Sequence, residues 1–251
     1  MASEDKKLSP VFADDTDVTN FLTSSEIESC QLMPQGSNYT FQALLCNSNG
    51  KKWYGIYKPM SGEAPLRDFP YATLYKREYA AYLVSEAGGW KFVPPTVIRD
   101  GPHGIGSIQL FIEHKPSSNF FTLRDSGSHE QTLKKIALYD AVTNNTDRKG
   151  GHILEDFKGR LWCIDQGLTF NEYPKLRTVI WDYAGTPISE SMIDMVRAVQ
   201  KKISTDKLGT ALKNLLSAQE MAALSSRIES LISEKTFPLP GPYRNVPWPM
   251  V

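Results

Sequence analysis

Residues 139–170, YDAVTNNTDRKGGHILEDFKGRLWCIDQGLTF, combine a helix end, a polar loop and a short hairpin. The apolar residues at the start of this stretch keep roughly helical spacing, and the run of Asn, Asp and Gly that follows predicts a tight loop after the helix. Two short apolar runs around a turn of Asp, Lys and Gly then predict two paired strands. Asp147 and Asp165 therefore lie on the two flanks of one hairpin, with His152 between them.

Phosphoryl transfer requires such a pair of carboxylates. One carboxylate receives or orients the proton of the attacking hydroxyl group, and another, with a further ligand, holds the metal ion that neutralises the phosphates. The plain alternative is that Asp147 and Asp165 are ordinary turn residues, because Asp is common in turns. Their spacing, together with candidate partners elsewhere in the chain, favours a catalytic site.

The segments TDRKGGHIL and CIDQGLTF resemble the catalytic loop and metal-binding turn of the phosphatidylinositol 3-/4-kinase-related family, a branch of the protein-kinase-like superfamily. HipA-type bacterial kinases are similar too. The resemblance covers most of residues 35–170 and is to a small bacterial-type branch. It implies that Asp147 is the catalytic base, that Lys149 contacts phosphate, and that Asp165 is the principal Mg²⁺ ligand. His152 stands where the family has Asn as second metal ligand, and imidazole suits Mn²⁺ better than Mg²⁺.

Lys58 ends a predicted strand, and alternation places it on the same face as Tyr54 and Ile56. The run IYKP matches the strand lysine of the same family, which contacts nucleotide phosphates. The alternative is a lysine that extends along a sheet edge. A helix predicted to follow carries Glu78, which could pair with Lys58 as in kinases, although Glu86 is a rival and a solvated glutamate is the simplest interpretation.

Two further segments are candidates for nucleotide binding. Gly36, Ser37 and Asn38 precede the first predicted hairpin, and their backbone N–H groups could form a small anion nest, although such a run is also an ordinary turn. The resemblance implies that the backbone of residues 112–114, around Glu113, binds adenine. The expected cofactors are ATP with Mg²⁺ or Mn²⁺.

The resemblance implies an α+β, bilobal protein-kinase-like fold: a small antiparallel-sheet N-lobe with one helix, and a mainly helical C-lobe. The polar run before residue 130 predicts a loop with little order, and Ser217 predicts a capping box at the start of a late helix. The predicted parts are a mobile N-terminal tail at 1–20, the N-lobe at 21–113, the C-lobe at 114–236 and a proline-rich extended tail at 237–251.

The composition limits the class of partner. Lysine and arginine total 28, as do aspartate and glutamate, so no net charge favours nucleic acid or an anionic membrane. No apolar run is long enough for stable membrane insertion, and the polar, acidic N-terminal stretch argues against a signal peptide. Three widely spaced cysteines without a CxxC pattern indicate reduced thiols and a cytoplasmic protein.

The leading functional prediction is a kinase that moves the γ-phosphoryl group of ATP to a hydroxyl group of a lipid, protein or small molecule. The second is a nucleotide-binding pseudokinase that acts as a scaffold or regulator, which the His at position 152 and Gln166 suggest. A metal hydrolase using His152, Cys163 and Asp165 is disfavoured, because too few histidines remain for a zinc site. The proline-rich tail either packs on the domain or binds a partner.

Overall fold

A computed structural model describes residues 15–34, 38–205 and 207–251. The first half forms a five-stranded antiparallel sheet in the order β1-β2-β3-β5-β4, with one helix before it and another inserted between β3 and β4. These elements are α1 Asp15–Ser24, β1 Glu26–Leu32, β2 Phe41–Cys46, β3 Lys52–Pro59, α2 Leu74–Gly88, β4 Thr96–Gly101 and β5 Gly104–Leu110. Part of the predicted tail at 1–20 is therefore helical, since α1 begins at Asp15, and the described part of the N-terminal half has two α-helices.

The sheet has a hydrophobic core of its own. Trp53 and Tyr57 of β3 are buried on one face, where α1 covers the sheet. The intervening Gly55 permits close packing, since a Cβ there would lie 2.9 Å from Cγ2 of Ile108. Strand alternation places Lys58 on the opposite face, as predicted.

The second half is mainly helical. Its elements are α3 Phe120–Ser126, α4 Glu130–Thr143, β6 Ile153–Glu155, β7 Leu161–Cys163, α5 Glu190–Thr205, α6 Lys207–Leu215 and α7 Ala218–Glu234. The capping box at Ser217 is confirmed, because its hydroxyl accepts a hydrogen bond from the backbone N–H of Glu220. The loop predicted before residue 130 is wrong in part: Asn119 caps α3, and burial of Phe120 holds that helix in place.

Helix α2 joins the two halves. It contacts β4 and β5 of the sheet, and it also packs on α5 and α6. Its buried side chains Ala80, Ala81 and Val84 belong to the large core of the helical half. Gly89, with φ 72°, ends the helix in the left-handed conformation that glycine adopts without strain. The helix is thus fixed from both sides.

The proline-rich segment at 237–251 returns to the helical half. The carbonyl of Asn245 accepts hydrogen bonds from the backbone N–H of Thr178 at 3.1 Å and from Nε1 of Trp181 at 2.8 Å. The carbonyl of Met250 accepts one from the N–H of Gly150 at 2.7 Å. The segment therefore ends beside the polar loop that carries Asp147. None of the helices described has the length and apolar character needed to cross a membrane.

Candidate active site

Lys58 and Glu78 form an ion pair at the face of the sheet that α2 covers. The Glu78 side chain is 2% exposed, and one carboxylate oxygen accepts a short hydrogen bond from the Lys58 ammonium. Its other oxygen accepts a 2.9 Å bond from the backbone N–H of Gln166. The structure thus brings Glu78, rather than its rival Glu86, to the strand lysine.

Asp165 completes the cluster from the other half of the chain. Its Oδ1 lies 2.9 Å from Nζ of Lys58, and its Oδ2 lies 3.4 Å from Nε2 of His152. The residue adopts φ 56°, a left-handed conformation that is uncommon outside glycine and that turns the chain sharply after β7. The Asp165 side chain remains 49% exposed, so it is accessible to a ligand.

The charges of this cluster support one another. The Lys58 ammonium holds the pKa of Asp165 well below its usual range, although burial opposes this shift. Burial lowers the pKa of Lys58, but the charges of Asp165 and Glu78 outweigh it and raise that pKa overall. At neutral pH Lys58 and Asp165 are therefore both ionised.

His152 is neutral at physiological pH, because burial lowers its pKa to about 4 despite the nearby Asp165. Its Nδ1 accepts a 3.4 Å hydrogen bond from the backbone N–H of Lys149. A nitrogen that accepts carries no proton, so in this tautomer the ring proton is on Nε2, the atom that faces Asp165. Use of Nε2 as a metal ligand requires the other tautomer, and hence the loss of the bond from Lys149.

Asp147 and Lys149 form a second pair in the same loop, with 3.2 Å between Oδ2 and Nζ. Burial raises the pKa of Asp147, Lys149 opposes that shift, and the charge of Asp165 adds to it. The two aspartates thus lie in each other's electrostatic field. The Asp147 backbone N–H donates to the side-chain oxygen of Asn145 at 2.9 Å, which fixes the turn.

A buried ion pair beneath the loop was not predicted from sequence. Arg148 and Asp140 are both fully buried, and the guanidinium donates to both carboxylate oxygens at 3.0–3.1 Å. The same guanidinium donates to the carbonyl of Ile164 and to the side chain of Gln166, each at 3.0 Å. It therefore ties the loop of Asp147 to the turn of Asp165. The available signal was Asp140 itself, a charge within an apolar helical stripe, which requires a buried partner.

Four residues outside this cluster were predicted to contact the nucleotide, and the structure describes only Asn38 and Glu113 among them. Gly36 and Ser37 lie outside the described residues. The Asn38 side-chain oxygen accepts a 2.8 Å bond from the N–H of Ala64, so it fixes the loop after β3. Glu113 is half-buried in the segment that follows β5 and connects the sheet to the helical half.

The carboxylates of this site fit a metal ion whose remaining ligands are phosphate oxygens. Among the residues that the structure describes, no group of three or more His, Cys, Asp or Glu side chains could hold a metal ion by itself. One or two carboxylates completed by phosphate oxygens is the usual arrangement for Mg²⁺ in phosphoryl-transfer sites. Cys163 contributes nothing here, since it is buried and burial raises the pKa of its thiol to about 12.

Comparison with known proteins gives the relatives and the fold. No family model matches the chain. Protein Rv2133c of Mycobacterium tuberculosis is 34% identical over 263 residues, which covers 91% of this chain and 93% of that protein. The chain belongs to the Rv2133c family. The mycobacterial protein's name states no activity, so membership of the Rv2133c family assigns a lineage and no reaction.

Solved structures show that this member of the Rv2133c family has a protein-kinase-like fold. Hydra Fam20, solved with sugar, matches with a TM-score of 0.54 and 12% identity, over 89% of this chain and 90% of that one. The proinflammatory kinase CtkA of Helicobacter pylori matches with a TM-score of 0.52 and 12% identity, over 86% of this chain and 94% of that one. The predicted α+β bilobal fold is confirmed, whereas the narrower resemblance to phosphatidylinositol kinases stays a prediction.

Proposed function

We propose that the protein is an ATP-dependent phosphotransferase that moves the γ-phosphoryl group to a hydroxyl group. The observation that carries this proposal is the joining of Lys58, Glu78 and Asp165, from a strand, a helix and a turn, into one charged cluster. A lysine and a carboxylate in these positions can hold the phosphates of a nucleotide and its metal ion. The kinase-like fold adds support by analogy only.

Each residue has a distinct task in this reaction. Lys58 binds phosphate oxygens, and Glu78 holds its ammonium in place. Asp165 ligates the divalent cation, which supplies charge neutralisation at the phosphates when bound. Asp147 accepts the proton of the acceptor hydroxyl group. At the same time the hydroxyl oxygen bonds to the γ-phosphorus, and the bond between that phosphorus and ADP breaks. Lys149 contacts the transferred phosphoryl group.

His152 and Glu113 have roles that the resemblance supplies. His152 would ligate the metal through Nε2 in its other neutral tautomer, with the ring proton on Nδ1, and would prefer Mn²⁺ over Mg²⁺. The backbone around Glu113 binds adenine. The acceptor is an alcohol group of a lipid, a protein or a small molecule. A cytoplasmic location is supported by three free cysteines.

A nucleotide-binding pseudokinase is the second candidate, and the tautomer of His152 favours it. With Nε2 protonated, His152 supplies no second metal ligand beside Asp165. In that case the protein binds ATP and a metal ion without transferring phosphate. The proline-rich tail is then available as a contact for a partner protein.

One experiment separates the two candidates. Wild-type protein is incubated with γ-labelled ATP and either Mg²⁺ or Mn²⁺, and hydrolysis, autophosphorylation and transfer to lipid are measured. Asp147→Asn is the matched control, since it keeps the shape of the loop and removes the base. Turnover that falls in the variant supports the phosphotransferase. ATP binding without turnover in wild type supports the pseudokinase.

A further inference from the structure

Arg77, the neighbour of Glu78 on α2, is 1% exposed and has a partner on each side of its guanidinium. Nη1 donates to the carbonyl of Thr169 at 2.8 Å, and Nη2 donates to the carboxylate of Glu220 through a short bond. Nε donates to the hydroxyl of Thr73 at 3.3 Å. A buried guanidinium with three separate acceptors is held in one position.

The two adjacent side chains on α2 hold the two ends of one turn. Glu78 accepts from the N–H of Gln166, and Arg77 donates to the carbonyl of Thr169. The turn closes on itself, because the Thr169 hydroxyl donates to the carbonyl of Gln166 at 2.7 Å. Asp165 immediately precedes this turn, so its carboxylate moves when the turn moves.

Glu220 connects this arrangement to the start of α7. Its Oε2 accepts a 2.8 Å bond from the backbone N–H of Ser217, while its other oxygen accepts from Arg77. One carboxylate thus serves both as part of the capping box and as the counter-charge of Arg77. This makes α2, the turn after Asp165 and the N-terminus of α7 one connected unit.

We propose that Arg77 is a positioning residue: together with Glu78 it fixes α2 to the turn 165–169, and so sets where the Asp165 carboxylate stands. The part of the proposal that concerns metal binding rests on the proposed function.

The first test needs no ligand. Hydrogen–deuterium exchange is measured on peptides that cover 164–171 in wild type, Arg77→Met and Ser217→Ala, all as full-length chains. Ser217→Ala is the matched control, since it removes a hydrogen bond of the same α7 cap without touching Arg77. We expect both variants to melt earlier, and faster exchange in 164–171 only in Arg77→Met. Equal exchange in that peptide for both variants overturns the proposal.

The second test measures metal-assisted affinity. The Kd of ADP is determined with and without Mn²⁺ by calorimetry at a temperature where every variant is folded. We expect the Kd without Mn²⁺ divided by the Kd with Mn²⁺ to fall about tenfold in Arg77→Met, as for the loss of one hydrogen bond to a charged group. The same ratio should stay unchanged in Ser217→Ala. An unchanged ratio in Arg77→Met overturns the proposal, because a purely structural arginine lowers only the melting temperature.

The proposal stays testable if Arg77→Met does not fold, and also if the proposed function is wrong. If Arg77→Met does not fold, Arg77→Lys replaces it; one ammonium cannot span Thr169 and Glu220, so the same changes are expected at smaller size. If wild type binds no ADP under either condition, the proposed function is wrong. The exchange measurement then still decides whether Arg77 holds the turn.

Discussion

The ammonium of Lys58 lies 2.9 Å from Oδ1 of Asp165, although 107 positions separate the two residues in sequence. The contact joins the sheet to the turn after β7. In the proposed function a cation at Asp165 and the ammonium of Lys58 compete for the same carboxylate. Phosphate oxygens would then replace Asp165 as the partner of Lys58.

Replacing Lys58 by Ala is expected to weaken ATP binding by about 10–100-fold, as for the loss of hydrogen bonds to a charged group. The buried Glu78 carboxylate keeps its bond from Gln166 but loses its counter-charge, so the variant is titrated at a temperature where it is folded. Calorimetric titration with ATP and Mn²⁺ measures the effect. The control is Lys52→Ala on the same strand, whose partner Glu28 is at the surface. Equal ATP affinity in wild type and Lys58→Ala would show that the nucleotide does not bind at Lys58.

Local patterns predicted much of the fold. Alternation along β3 placed Lys58 on the face of the sheet that α2 covers. Helical spacing placed Glu78 on the helix that follows, because both periodicities are set by the backbone. The capping box at Ser217 was visible since its residues are three apart. The loop and hairpin around Asp147 and Asp165 were predicted from their turn residues.

Long-range pairing could not be predicted in the same way. Arg77 pairs with Glu220, also buried, across 143 positions, and Arg148 pairs with Asp140. The apolar stripe around Asp140 indicates that this charge is buried, but sequence does not identify the partner of either charge, because charged residues are normally solvent-exposed and only the packed fold removes them from water. The short helix α3 was missed since its burial of Phe120 depends on tertiary contact.

Changing Asp140 to Asn is expected to lower the free energy of unfolding by about 3–5 kcal/mol, since it leaves the buried Arg148 guanidinium without a counter-charge. Urea denaturation followed by circular dichroism measures the loss. Glu28→Gln, which breaks an exposed pair with Lys52, is the control and should change stability little. A similar loss in the two variants would mean that burial does not decide the energy of the Asp140 pair.

Removal of residues 242–251 is expected to lower the free energy of unfolding. The deletion takes away the carbonyls of Asn245 and Met250, which accept hydrogen bonds from the helical half. It also exposes the N–H of Gly150, so amide exchange there should rise. Tyr243→Ala is the control within the same segment, because that side chain is 87% exposed. Exchange at Gly150 that stays at the wild-type rate would show that the tail does not protect the loop.

Replacing His152 by Asn is expected to shift metal preference toward Mg²⁺, because an amide oxygen replaces an imidazole nitrogen. The measured quantity is the ratio of turnover with Mn²⁺ to turnover with Mg²⁺, at saturating ATP. His129→Asn is the control, since that histidine pairs with Glu155 and lies outside the Asp165 cluster. A ratio that stays constant in His152→Asn would indicate that His152 keeps its Nε2 proton and only orients Asp165.

Asp165→Asn and Asp147→Asn are expected to fail in different ways. In the proposed reaction Asp165 binds the cation, so its variant should lose both metal-assisted nucleotide binding and turnover. The same proposal has Asp147 act on the acceptor hydroxyl, so its variant should bind ATP and the metal ion as wild type does, while turnover falls by about 10²–10⁴-fold. Calorimetry and phosphate release, measured on the same preparations, separate the two effects.

Asp156→Asn in the hairpin turn is the control, because its carboxylate holds the turn and Trp162 rather than the Asp165 cluster. Loss of ATP binding in Asp147→Asn would assign that residue to the nucleotide site and leave the reaction without its base.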